Sequence, residues 1–146
     1  MIAKRSPVVV TGAAGILGSR LVPWLEEGGR VVRPVDIRET DHPRGIVDDL
    51  REPRDRTRWM SGARALVHLG GIPNPMAPWS AVERANVITT RHMVEAARLH
   101  GIERLVLASS VWAMRAKWES GGMIDAGPPQ PGDGAYGRSK AAAEAL

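Results

Sequence analysis

The stretch "TGAAGILG", Thr11–Gly18, constrains this chain more than any other. Gly12, Gly15 and Gly18 stand three apart. The β-branched run "PVVV" precedes them, and "SRLVPWLEEGG" follows with apolar residues near helical spacing and a glycine stop. The pattern predicts a buried strand over Pro7–Gly12, a sharp turn, and a helix within Ala14–Gly29. Such a turn must bend tightly, let a ligand approach the backbone, and seat the helix on the strand, and each task excludes a side chain. The helix N-terminus then offers N–H groups and a positive dipole end to a phosphate. Asp36 closes the next apolar run, "RVVRPVDI", about 20 residues on. Together these features imply dinucleotide binding rather than an idle glycine turn.

The rest of the chain keeps the alternation. "GIVDDL" (Gly45–Leu50), "ALVHLGG" (Ala65–Gly71) and "RLVLASS" (Arg104–Ser110) read as further strands. "PRDRTRWMSG" reads as a polar helix with Trp59 and Met60 turned inward, and Pro78–Gly101 as a long amphipathic helix with a glycine cap. A Gly- and Pro-rich loop is expected after the fifth strand, then a helix from Ala135. Alternating strands and helices predict an α/β fold: one Rossmann-type doubly wound parallel sheet of order 3-2-1-4-5. Near-continuous apolar strands such as "RLVLASS" fit a sheet covered on both faces. We expect a single domain over residues 1–146.

Composition narrows the classes. No apolar run approaches the ~20 residues of a membrane helix, and no cysteine is present. Together with the lack of a signal-peptide pattern, this predicts a cytoplasmic protein without disulfides. The net charge of +4 raises nucleic acid as a partner. The densest basic stretch, "REPRDRTR", is broken by Glu52 and Asp55 and has no aromatic residue for base stacking, so a solvated helix face is expected. His42, His68, His92 and His100 lack ligand spacing, so no metal is predicted. In a chain without phenylalanine, Trp24, Trp59, Trp79, Trp112 and Trp118 are expected to fill the core.

Two features select chemistry. A carboxylate at Asp36 would accept from adenosine ribose hydroxyls and repel a 2′-phosphate, favouring NAD over NADP. Arg38 pulls the other way, since a guanidinium can hold that phosphate. Near the end, "GAYGRSK" sets the sole tyrosine, Tyr136, four residues before Lys140, one of three lysines beside seventeen arginines. On a helix the two share a face. An ammonium beside a phenol favours the phenolate and makes it a usable general base. A compact, rotatable ammonium suits that place better than arginine's planar fork.

These residues resemble the extended short-chain dehydrogenase/reductase family, also called the NAD-dependent epimerase/dehydratase family. "TGAAGILG", "DDL", "HLGGI", "ANVITTRHMVEAARLHG", "LVLASS" and "YGRSK" carry the likeness in order and spacing. Within the family, "VHLGGI" and "DGAYGRSK" are most similar to the uronate dehydrogenase branch. The resemblance implies Tyr136 as catalytic base, Lys140 as its modulator and a ribose ligand, and Ser110 as the hydroxyl that orients the reacting oxygen. It implies Gly12, Gly15, Ile16, Leu17 and Gly18 around the pyrophosphate, Asp36, Ile37 and Arg38 at the adenosine ribose, and Asp49 and Leu50 at the adenine. Leu69, Gly70 and Gly71 would pass beneath ribose and nicotinamide, with Asn86 ordering the site. Ile72, Ser110, Val111 and Trp112 would meet the substrate.

The implied activity is NAD-dependent hydride transfer from a hydroxyl of a sugar or sugar acid. An epimerase or dehydratase, or a nucleotide-binding module without turnover, are the alternatives. Pro73 stands where the uronate branch has serine, and Val111-Trp112 where it has Asn-His, so polar substrate contacts give way to apolar ones. Family members continue past the Tyr–Lys helix into further strands and a substrate lobe; this sequence ends inside that helix, which fits a portion of a longer protein, a truncated form, or a chain whose partner copy supplies the cover. The resemblance also implies a homodimer, with Met93, Ala97 and Ala141–Ala143 as candidate contacts.

Overall fold

The computed structural model describes residues 6–121 and 123–146. They fall into two compact units. One runs up to Gly70 and includes His92–Ala108; the other holds Gly71–Arg91 and Ser109–Leu146.

The first unit contains the sheet. Strands β1 (Val8–Thr11), β2 (Val32–Asp36), β3 (Ile46–Val47), β4 (Ala65–His68) and β5 (Arg104–Leu107) are all parallel, in the order β3-β2-β1-β4-β5. The central strand aligns Val8 with Val32 and Ala65, and Thr11 with Val35 and His68. Side chains alternate across a strand, so β1 supplies two cores. Val8 and Val10 join Val32, Ala65 and Val22 of helix α1 (Gly18–Glu27) on one face. Val9 joins Val35, Leu66, and Trp59 and Met60 of helix α2 (Thr57–Met60) on the other, with Met93 and Ala97 from the long helix. Apolar burial on both faces of β1 fits parallel strands built mainly of Val, Leu and Ile. Pro34 is tolerated inside β2 because β3 pairs only from Val35 onward, so the missing N–H leaves no ladder bond unmade on that side.

The second unit is helical. Helix α3 (Trp79–Val82) leads into a π-helical turn (Glu83–Ile88), and α4 (Thr89–Leu99) carries on from it. The hydroxyls of Thr89 and Thr90 donate to the carbonyls of Ala85 and Asn86, both at 2.6 Å. Such back-bonding competes with the backbone ladder and suits a widened turn. A 3₁₀ turn (Val111–Met114), helix α5 (Arg115–Glu119) and helix α6 (Ala135–Glu144) complete the unit. Among the described residues, no helix is long and apolar enough to cross a membrane.

The expected order of the sheet is observed, and Gly101 caps α4 with φ +66°. Four expectations are corrected. The segment after β5 is not wholly loop: Ser110 accepts the Trp112 amide N–H at 3.3 Å and caps a helical stretch over Val111–Glu119. β5 is not covered on both faces: Leu105 is 37% and Val106 47% exposed, and as successive residues of a strand they point to opposite faces. Trp24 and Trp118 stand in solvent rather than in a core, Trp24 being 67% exposed. Of the candidate dimer contacts, Met93 and Ala97 are buried in the first unit's core and Ala143 is buried too, which leaves Ala141 and Ala142, both half-buried.

Candidate functional site

In the first unit the glycine turn divides its tasks. Gly12 has φ +70°, and a Cβ there would stand 2.7 Å from both the Gly70 nitrogen and the Leu69 carbonyl carbon. Gly18 abuts the Gly12 carbonyl, and a Cβ on it would lie 2.6 Å from Ala13 Cα. These two glycines allow the turn itself. Gly15 differs: an added Cβ would meet only the Gly12 oxygen, at 3.1 Å, and otherwise open space. Ile16 and Leu17 are exposed at the start of α1. This is the arrangement that lets an anion reach backbone at a helix N-terminus.

Asp36 is buried at the end of β2. One carboxylate oxygen accepts the Ala14 amide at 2.9 Å, and the other accepts the Arg38 amide at 3.0 Å. Arg38 folds back, its Nη2 donating to the Ala14 carbonyl at 2.8 Å and its Nε lying 3.5 Å from Asp36. Both polar groups of the Ala14 peptide are therefore tied to the strand end. Ile37 is exposed beside them.

Asp49 accepts a fork of bonds from Arg51, at 2.7 Å from Nη2 and 2.9 Å from Nε. That carboxylate raises the Arg51 guanidinium above its ordinary value. Leu50 is buried, and its carbonyl lies 2.9 Å from His92 Nδ1. Leu69 and Gly70 follow β4. A Cβ on Gly70 would make ordinary contacts at 3.4–3.6 Å, so close packing does not demand glycine there. His68, expected as a packed residue at the strand end, is buried with Nδ1 2.6 Å from the Thr11 hydroxyl. Thr11 carried no functional signal in the sequence.

In the second unit Asn86 is buried on the π-helical turn. Its Oδ1 accepts the Ile72 amide at 2.8 Å, and its Nδ2 donates to the Ile72 carbonyl at 3.3 Å and to Ser139 Oγ at 2.9 Å. Ser139 in turn donates to the Tyr136 carbonyl at 2.7 Å. A Cβ on Gly71 would lie 2.6 Å from Asn86 Oδ1. The amide thus fixes the Gly71–Ile72 segment and reaches α6 through Ser139. Ser139 was missed in the sequence, although it sits three residues after Tyr136 on one helical face.

Tyr136 is buried near the start of α6 and Lys140 lies one turn on, where burial pushes its ammonium below the ordinary lysine value. Gly137 was also missed. A Cβ there would overlap the Trp112 carbonyl oxygen and stand 3.1 Å from the Pro131 oxygen. The absent side chain lets α6 pack directly on the turn that Ser110 caps. Val111 is exposed, and Trp112 is half-buried beneath the Arg115 guanidinium, 4.7 Å from the ring centroid.

The chain matches the NAD dependent epimerase/dehydratase family over residues 8–146. It is 34% identical over 142 residues to a uronate dehydrogenase of Pseudomonas syringae pv. tomato, covering 94% of this chain and 51% of that protein. It is 34% identical over 153 residues to an L-arabinose 1-dehydrogenase (NAD(P)(+)) of Haloferax volcanii, covering 95% and 59%. A crystal structure of uronate dehydrogenase from Agrobacterium tumefaciens superposes with a TM-score of 0.79 at 30% identity, over 98% of this chain and 55% of that one. MoeE5 in complex with UDP-glucuronic acid and NAD superposes at 0.81 with 32% identity, over 95% and 47%. The chain spans about half the length of the curated relatives it matches.

Proposed function

Because the chain belongs to the NAD-dependent epimerase/dehydratase family, we propose that it is an NAD-dependent oxidoreductase acting on a hydroxyl of a sugar or sugar acid. The observation that carries the reading is the division of labour among the glycines. Gly12 and Gly18 are required by the backbone, whereas Gly15 leaves open space at the N-terminus of α1, next to a buried Asp36. A pyrophosphate fits that opening, and Asp36 retains lone pairs for ribose hydroxyls beyond the two amides it accepts.

When bound, NAD supplies the hydride acceptor. The chain's own residues handle the proton. Ser110 donates a hydrogen bond to the reacting substrate oxygen, and Tyr136 takes the hydroxyl proton. Lys140, half-buried and reluctant to stay charged, releases its proton more readily than an exposed lysine. Asn86 and Ser139 fix the backbone on which Tyr136 rides. Relatives named for uronate and for L-arabinose support a sugar-type substrate.

The test is NADH formation with a panel of aldoses and uronates, run beside NAD titration. Tyr136→Phe is expected to lower turnover by about 10²-fold or more, the usual contribution of a general base, with NAD affinity kept. NAD binding with no turnover on any sugar would sink the oxidoreductase reading.

A further inference from the structure

Trp118 is the least expected feature of the second unit: an indole left 62% exposed on α5. It is not alone. Trp112, Arg115, Trp118 and Glu119 line an open cavity of about 470 Å³, within the range of small-ligand pockets. Its walls are two indoles. Its polar groups are one ion pair, Arg115 Nε to Glu119 Oε1 at 2.5 Å, with the guanidinium stacked on Trp112. The cavity starts two residues from Ser110, whose hydroxyl accepts the Trp112 amide. The Trp112 carbonyl in turn rests against Gly137, the neighbour of Tyr136.

We propose that this groove binds the ring of the substrate and that its charges select a neutral aldose over a uronate. The substrate's identity as a sugar rests on the reading above; the selection is the groove's own. An indole face carries negative charge density, and the C–H face of a pyranose carries partial positive charge, so the two stack. Ring hydroxyls at the edge can donate to Glu119 and accept from Arg115. A uronate carboxylate meets a different situation. The Arg115 charge is already matched by Glu119, and Glu119 repels a second carboxylate. Both members of the pair are partly exposed, so the discrimination is modest, up to about fivefold.

The experiment titrates the full chain with galactose and with galacturonate, following the indole N–H resonances in a nitrogen-15 spectrum. Trp112→Phe and Trp118→Phe assign the two groove signals. Galactose is expected to shift both and to leave buried Trp59 unmoved. Trp118→Ala should weaken galactose roughly threefold to tenfold, the range of a lost aromatic contact. Glu119→Gln should shift the galacturonate-to-galactose affinity ratio towards galacturonate by up to about fivefold. Unmoved groove signals, tighter binding of galacturonate than galactose in the parent, or an unaltered affinity in Trp118→Ala would overturn the proposal. Galactose binding without any NAD reduction would uphold the groove and sink the oxidoreductase reading. NAD reduction with an unchanged KM in Trp118→Ala would do the reverse.

Discussion

Gly137→Ala sets two opposed effects against each other, and the structure decides the sign. Gly137 lies inside α6, where alanine is intrinsically favoured over glycine by about 1 kcal/mol. The added methyl, however, would stand 3.1 Å from both the Trp112 carbonyl carbon and the Pro131 oxygen, and closer still to the Trp112 oxygen. Carbon contacts are best at about 3.5–4.0 Å. All three neighbours are backbone atoms, which cannot rotate aside as a side chain would. α6 and the 3₁₀ turn must therefore separate, and overpacking of this kind costs about 1–3 kcal/mol. With the contacts rigid, the upper part of that range applies. The net loss is about 1–2 kcal/mol, a fall in Tm of roughly 3–8 °C for a chain of this size. Thermal unfolding followed by circular dichroism reads it directly. Gly28→Ala is the control: φ is −75° and the nearest atoms to its Cβ lie at 3.4 and 3.6 Å, so little change is expected. A Gly137→Ala chain as stable as its parent would refute the reasoning, because helix propensity would then outweigh the contact.

Three further outcomes follow from the same geometry. Burial holds Lys140 below the ordinary lysine value of 10.5, so the folded chain binds that proton more weakly than the unfolded chain. Charging it opposes folding near neutrality, and stability rises as pH climbs from the folded pKa towards about 10.5; Lys140→Met should flatten the urea midpoint over that window, and an unchanged slope would count against the burial. Asp36→Asn replaces one of two acceptor oxygens by a donor, facing either the Ala14 or the Arg38 amide. It should cost about 1–3 kcal/mol of stability and weaken NAD, and calorimetric titration showing full NAD affinity would contradict the assignment. Asn86→Ala removes the acceptor of the Ile72 amide and the donor to Ser139, so hydrogen exchange at Ile72 should quicken about tenfold or more, as expected for a lost bond worth about 1–3 kcal/mol.

What the sequence made legible follows the range of the interaction that encodes it. The strand order was readable because β-branched runs, helical spacing and a glycine turn are local patterns, and right-handed crossovers leave few ways to connect them. Gly12 could be recognised for the same reason: its need for positive φ is written in the turn. Gly137 could not, because the carbonyl that excludes its side chain belongs to Trp112, far away in sequence. Ser139 looked like an ordinary helix residue until Asn86, from another helix, supplied its partner. Burial of β5 failed on the same ground. "RLVL" has the composition of a covered strand, but cover depends on what packs above and below it, and Leu105 and Val106 both stay partly exposed. Trp118 shows the converse. A tryptophan is expected inside by its apolar area, yet this one is held out by α5 next to a guanidinium, a carboxylate and a second indole. Residues whose role is set by their own turn are thus recoverable from the chain alone. Those set by a contact across the fold, Gly137 through the Trp112 carbonyl and Ser139 through Asn86, are not.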